Sequence, residues 1–315
     1  MSKIAHNLIE LIGNTPLLEL SGTEKELKIK ILQAVIGLPR YYVKQETAKA
    51  QMPRNDAGEC ITSEEVEGLK ELALESYTIA DDKNEMLYGA VAQSFSTEDS
   101  FQQVENDIIG MVSDTLEGNF KVFIGRKRPV NNIDVVMNDL GIAIARKYFT
   151  PECVAKAVLG EEEMENGVAL VDFGGGSTSV TVYKGKIMRY YGAIPFGGKT
   201  ITNDIRTECG ITEKLAENIK LAFGACQPDR LQTLSEKIIQ INDENEVPYK
   251  QLPVKYLSEI ITARTNEIVN AVLWHIQESG FADDLRNGLV ITGGGANMTN
   301  LANYIKELSG YNVRT

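Results

Sequence analysis

Apolar residues thicken from Ile29 to Ile36 and stop at Gly37 and Pro39, which predicts a strand following the polar stretch 21–30. Thr62 and Glu65 have the spacing of a capping box, and Val66, Leu69 and Ala73 behind them share one face at the helical period, so a helix is predicted there. Residues 80–106 are acidic and mixed in pattern and predict no element. Lys121 to Ile124 predicts a short strand closed by Gly125, and Arg126-Lys127-Arg128 before Pro129 reads as a solvated turn rather than a binding patch. Asn131 to Leu140 predicts a helix with Gly141 as the left-handed residue past its end. A strand over Ile142 to Phe149 and a helix opening at Pro151 follow.

The second half is more informative. The unbroken apolar run Val168-Ala169-Leu170-Val171, ending in Asp172, predicts a buried strand. Gly174-Gly175-Gly176-Ser177 makes a turn, and Thr178 to Tyr183 alternates as a second strand, with Thr178, Val180 and Val182 on one face. Strand, glycine turn and strand exclude a dinucleotide fingerprint and a P-loop, both of which need a helix after the glycines. Thr212 to Phe223 and Leu257 to Gln277 predict amphipathic helices, the second with Leu257, Ile261, Ile268, Val272 and Ile276 at near-helical spacing. Leu289 to Thr292 predicts a strand feeding Gly293-Gly294-Gly295, then a helix from Thr299 to Leu308.

Composition narrows the function classes. The chain has 315 residues, enough for two packed lobes, with 43% hydrophobic and 24% charged residues, an ordinary globular balance. A formal net charge of −12 disfavours non-specific binding to nucleic acid or anionic lipid. Cys60, Cys153, Cys209 and Cys226 have no metal-ligand spacing and His6 and His275 are the only histidines, so a Cys- or His-built metal centre is excluded. No apolar run reaches the ~18 residues of a membrane span, and Asn7, Glu10 and Asn14 interrupt what would be a signal peptide, so a cytoplasmic protein is expected.

A glycine triplet lets backbone N–H groups converge on an anion, Ser177 and Thr178 add hydroxyl donors, and Asp172 just ahead can hold magnesium through water. One triplet alone serves equally well as a plain hairpin turn. A second triplet about 120 residues later, opening a helix, moves the reading toward a nucleotide site.

In their order, VALVDFGGGSTSVTVYKGKI, AIPFGGKTITNDI, AENIKLAFG and GLVITGGGANMTNL resemble the actin-like ATPase superfamily, and within it the FtsA family of bacterial cell-division proteins. VAKAVL and LSEIITARTNEIVNAV support this, and ITSEEVEGLK with IIGMVSDTLEGNFKVFIG resembles the extra subdomain of FtsA. The resemblance runs from Lys28 to the C-terminus. It implies an α/β actin-like fold of two ribonuclease-H-like lobes plus that subdomain: an incomplete first lobe over 28–60 and 131–166, the extra subdomain over 61–130, and a second lobe over 167–315 with 201–286 inserted. It also implies ATP or ADP with magnesium as ligand. Gly174, Gly175, Gly176, Ser177 and Thr178 match the second phosphate loop, Asp172 the metal-side carboxylate, Gly197 and Gly198 the glycines near the nucleotide, and Gly293, Gly294 and Gly295 the adenosine loop. Glu217 and Lys220, one helical turn apart, match a ribose-facing pair, though without the motif order they read as an ordinary surface ion pair. The implied role is a division-site scaffold that binds the tubulin-like protein FtsZ, through the surface within Ile201 to Arg286, and other division proteins.

Several family features are absent from the sequence. Nothing before Lys28 matches the first phosphate loop, Thr150-Pro151 stands where the family has Glu-Pro, Ser179 replaces an acidic residue, and Thr315 comes before any C-terminal membrane helix. No catalytic residue is assigned; hydrolysis is expected to be weak or absent, the chain to have no direct membrane anchor, and an exposed strand edge to promote self-association. A truncated fragment that binds nothing is the alternative. Residues 1–20 resemble the N-terminus of cysteine synthase, but Lys44 and Lys49 lack the setting of its cofactor lysine, so no pyridoxal phosphate is expected.

Overall fold

A computed structural model describes residues 28, 30–54, 58–98, 104–227, 236–242 and 248–315; the cysteine-synthase-like leader lies outside them. The chain divides into two compact units, one running to Ala157 with Ile187–Arg189, the other Val158–Lys186 with Tyr190–Thr315.

The first unit contains β1 (Gln33–Gly37), β2 (Lys44–Pro53), α1 (Ser63–Ser76), β3 (Glu85–Ser96), α2 (Glu105–Ile108), β4 (Thr115–Arg126), α3 (Lys127–Asp139), β5 (Ala143–Tyr148) and most of α4 (Thr150–Val158). β1 pairs with β5 in parallel. β2, β4 and β3 form an antiparallel sheet, in that order, and α1 buries Val66, Leu69 and Ala73 in the same core as Phe95, Leu116 and Phe120. The capping box is present: the Glu65 N–H donates to Thr62 Oγ1 at 3.2 Å, and the Thr62 N–H donates to Glu65 Oε2 at 2.8 Å.

Three sequence expectations change here. The stretch left without an element contains β3, whose mixed pattern comes from residues half-buried on both faces. The short strand at Lys121 is the end of a twelve-residue strand, because Gly118 and Gly125 make room rather than end pairing. A Cβ at Gly118 would lie 2.6 Å from the Phe120 ring, and one at Gly125 would lie 2.2 Å from the Tyr88 ring. The Arg126–Pro129 cluster is no turn: Arg126 ends β4 and caps α3, and Pro129 sits in the first turn, where its missing N–H costs nothing. Gly141 does take the left-handed conformation, at φ 69°.

The second unit contains α5 (Glu161–Asn166), β6 (Val168–Phe173), β7 (Thr178–Lys184), most of β8 (Ile187–Ile194), α6 (Gly198–Cys209), α7 (Glu213–Phe223), β9 (Ile238–Asn242), β10 (Pro248–Pro253), α8 (Val254–Glu278), β11 (Leu289–Thr292), α9 (Leu301–Ser309) and β12 (Val313–Arg314). Its main sheet has the order β12-β11-β6-β7-β8, with β6 central, parallel to β11 and antiparallel to β7. All six residues of β6 and the first six of β7 are buried, so β7 is covered on both faces rather than on one. Helix α8 buries Leu257, Ile261, Ile268, Val272 and Ile276, all five of its sequence-predicted core positions. The helix after the second triplet starts two residues later than expected. A short 3-10 turn over Gly294–Asn297 precedes it, and Asn300 at φ 64° makes the junction.

Candidate functional site

The site is built at the C-terminal end of β6. Asp172 pairs in register with Ser179 of β7 on one side and Thr292 of β11 on the other, and is 8% exposed. It therefore lies at the carboxyl ends of two adjacent parallel strands, the position where open α/β sheets take their ligands. The turn that follows is closed by the Gly174 N–H, which donates to Ser177 O at 3.1 Å.

Two carbonyls of this turn are held by the segment that opens α6. Gly174 O accepts from the Gly198 N–H at 3.0 Å and Gly175 O from the Lys199 N–H at 2.8 Å, so the first residues of α6 hold the turn from one side. Thr178 Oγ1 donates to Phe196 O at 2.9 Å and ties the next strand to the same segment. Among the described residues, the N–H groups of Gly175, Gly176 and Ser177 have no protein acceptor, and Gly175 and Gly176 are exposed. The turn thus leaves three N–H donors without a protein acceptor among the described residues, while the carbonyls of Gly174, Gly175 and Ser177 are used.

The glycines separate by what surrounds them. At Gly197 a Cβ would sit 2.4 Å from Gly174 O; at Gly293, itself at φ 86°, it would sit 2.5 Å from Asp172 Oδ1; at Gly295 it would sit 2.5 Å from the Phe173 ring. These three are required by close packing. At Gly175, Gly176 and Gly294 a Cβ would meet nothing within 4 Å, and none of these has a positive φ. Neither backbone conformation nor a neighbouring group explains them, and all three border open space.

Glu217 and Lys220 on α7 join the same cluster through α6. Lys220 Nζ donates to Gly198 O at 2.9 Å, Thr202 Oγ1 at 2.7 Å and Glu217 Oε2 at 2.8 Å, so its three hydrogens are all used. Burial works against the Glu217 charge, but the hydrogen bonds from Lys220 and Thr202 outweigh it and hold the carboxyl below its usual range. The ion pair and the site contact are therefore one arrangement. Sequence reasoning missed Thr202, whose one hydroxyl hydrogen has both Glu217 Oε2 and, at 3.0 Å, Gly198 O within reach; its only signal is a spacing of one helical turn from Gly198.

The structure thus groups Asp172, Gly174–Thr178, Gly197, Gly198 and Gly293–Gly295 around one strand end, with Glu217 and Lys220 joined at Gly198. Among the described residues no cluster of three or more His, Cys, Asp or Glu is placed to hold a metal directly. Asp172 is a single hard oxygen donor, a set that suits magnesium retaining most of its waters. Nor is any described helix long and apolar enough to cross a membrane.

Solved structures share this architecture. MreB5 of Spiroplasma citri bound to ADP superposes with a TM-score of 0.51 at 20% identity, covering 60% of this chain and 60% of that one. The PilM–PilN type IV pilus biogenesis complex superposes with a TM-score of 0.52 at 15% identity, covering 94% of this chain and 75% of that one. The fold is therefore the actin-like one, with a strand–glycine turn–strand site at the end of β6. Within that fold the chain is similar to cell division protein FtsA, whose family model matches residues 169–315. It is 28% identical over 291 residues to FtsA of Enterococcus hirae, covering 92% of this chain and 64% of that protein. To FtsA of Neisseria meningitidis serogroup B it is 32% identical over 208 residues, covering 66% and 50%. The chain spans about half to two thirds of the length of these relatives.

Proposed function

We propose that the chain is an FtsA-like division scaffold whose second unit binds ATP or ADP with magnesium and which turns the nucleotide over weakly or not at all. Its cell-division context follows from the FtsA relatives. The observation that carries the nucleotide reading is the trio Gly175, Gly176 and Gly294, glycines that the fold does not need and that face open space beside outward N–H donors. Asp172 would hold magnesium through water, neutralising phosphate charge; Gly174–Thr178 would cradle phosphate, Gly197 and Gly198 flank it, Glu217 and Lys220 face the ribose and Gly293–Gly295 border the base.

Weak turnover is supported by two side chains that depart from the family pattern, Thr150 where the family has a water-positioning Glu and Ser179 where an acidic residue closes the second phosphate motif. The Thr150 hydroxyl is committed to Leu38 O at 2.7 Å and has no carboxylate with which to activate water. Ser179 is buried opposite Asp172. The partners proposed by family analogy are the tubulin-like protein FtsZ, on the surface within Ile201 to Arg286, and other division proteins at the division site. Phosphate release from ATP measures the first point: release no faster than that of an Asp172→Ala variant is expected, and efficient turnover would contradict it. For the second, co-sedimentation with FtsZ filaments is expected, and failure to co-sediment would remove the scaffold role while leaving the nucleotide site standing.

A further inference from the structure

We infer that Lys199, the second residue of α6, is the cation that binds the phosphate tail of the nucleotide. This rests on the nucleotide reading above and adds to it a residue outside the matched motif positions. A nucleoside diphosphate or triphosphate brings several negative charges to a chain that already has a net charge of −12, so its site needs a local positive group. Two ammonium groups belong to the cluster. Lys220 is used up, with its three hydrogens on Gly198 O, Thr202 Oγ1 and Glu217 Oε2. The Lys199 ammonium makes no hydrogen bond or ion pair with any described residue, although its backbone N–H is fixed on Gly175 O at 2.8 Å, in the middle of the glycine turn. Its charge also helps to hold the Glu217 carboxyl low, which places it in the same electrostatic neighbourhood.

The location has a cost that the Glu217 charge offsets only in part. Lys199 sits in the first turn of a twelve-residue helix with no acidic residue in that turn, where a cation faces the positive end of the helix dipole. A half-buried lysine whose ammonium has no hydrogen bond or ion pair among the described residues is suited to an anionic ligand at the adjoining turn.

The test is calorimetric titration of the full chain and of Lys199→Gln and Lys199→Arg with ADP, AMP and adenosine. Losing a charge-assisted contact to phosphate lowers affinity by about ten- to a hundredfold. Lys199→Gln is expected to lose that much for ADP, less for AMP and nothing for adenosine, while Lys199→Arg keeps most of the ADP affinity. The thermal midpoint of unliganded Lys199→Gln is expected to be no lower than that of the parent chain. Equal losses for ADP and adenosine, no loss for either, or a lowered midpoint would overturn the assignment and leave the nucleotide site standing. No binding of any of the three by the parent chain would overturn the nucleotide reading itself.

Discussion

Gly175 and Gly197 are both exact matches to motif positions, yet the space around them differs. A methyl at Gly197 would press on Gly174 O, whereas one at Gly175 would enter open space. Gly197→Ala is therefore expected to destabilise the second unit by about 1–3 kcal/mol, the cost of overpacking. Gly175→Ala is expected to leave the thermal midpoint unchanged or slightly raised, since the unfolded chain loses freedom. Equal effects in thermal unfolding would contradict the division of the glycines into packing and ligand-facing sets. The motif resemblance identified both residues and weighed them alike, because what separates them is packing: Gly197 meets Gly174 O, 23 residues earlier, whereas Gly175 meets nothing. His275 gives a pH prediction at the same scale. Burial against Gly192 holds its imidazole below the usual range, only partly opposed by the Glu278 charge, while its Nδ1 lies 2.8 Å from the Tyr190 hydroxyl. In the folded chain the ring thus takes up its proton at lower pH than in the unfolded chain, so stability falls as pH drops below about 6.5, the unperturbed value. His275→Gln is expected to flatten urea-unfolding stability across that window; an unchanged slope would remove His275 as the cause.

The elements show which local signals suffice. The α1 cap and its apolar face were legible because everything that defines them lies within twelve residues, Thr62 to Ala73. What was not legible is the second use of Glu65, whose carboxylate also pairs with the buried Arg54 at 2.7 Å, while Arg54 donates to Glu59 O and Ser113 O as well. Thr62→Ala is expected to cost about 1 kcal/mol, the worth of one cap. Glu65→Ala is expected to cost more, about 2–4 kcal/mol, because it removes a carboxylate that pairs with a buried guanidinium as well as the cap partner. Urea unfolding of the two variants checks the order, and equal costs would contradict it. The Arg54 hydrogen bond holds the Glu65 carboxyl below its usual range despite burial, so this stabilisation is present above the ordinary carboxylate pKa and is lost as pH falls through the lowered one. β4 marks the opposite limit. Gly125 reads as a breaker because the Tyr88 ring that explains it comes from another strand.

For the whole molecule, the order of the four motifs conveyed the fold class, and the second unit follows it from β6 to α9. The first unit was harder to read, because its sheet depends on pairings between segments up to about eighty residues apart. β1 and β5 form a two-stranded parallel sheet among the described residues, and beside it Leu32 and Val35 are 62% and 60% exposed. Parallel sheets are normally covered on both faces, so concentration-dependent association is expected in sedimentation velocity, weakened by Val35→Lys. A monomer at every concentration would contradict it. The central claim, that the end of β6 is a nucleotide site, is tested most directly by calorimetric titration of the chain with magnesium and ADP, beside Gly175→Val and Asp172→Ala. The account predicts saturable binding by the parent chain, loss of binding by Gly175→Val with its thermal midpoint retained, and weaker magnesium-dependent binding by Asp172→Ala. No binding by the parent chain, or undiminished binding by Gly175→Val, would contradict it.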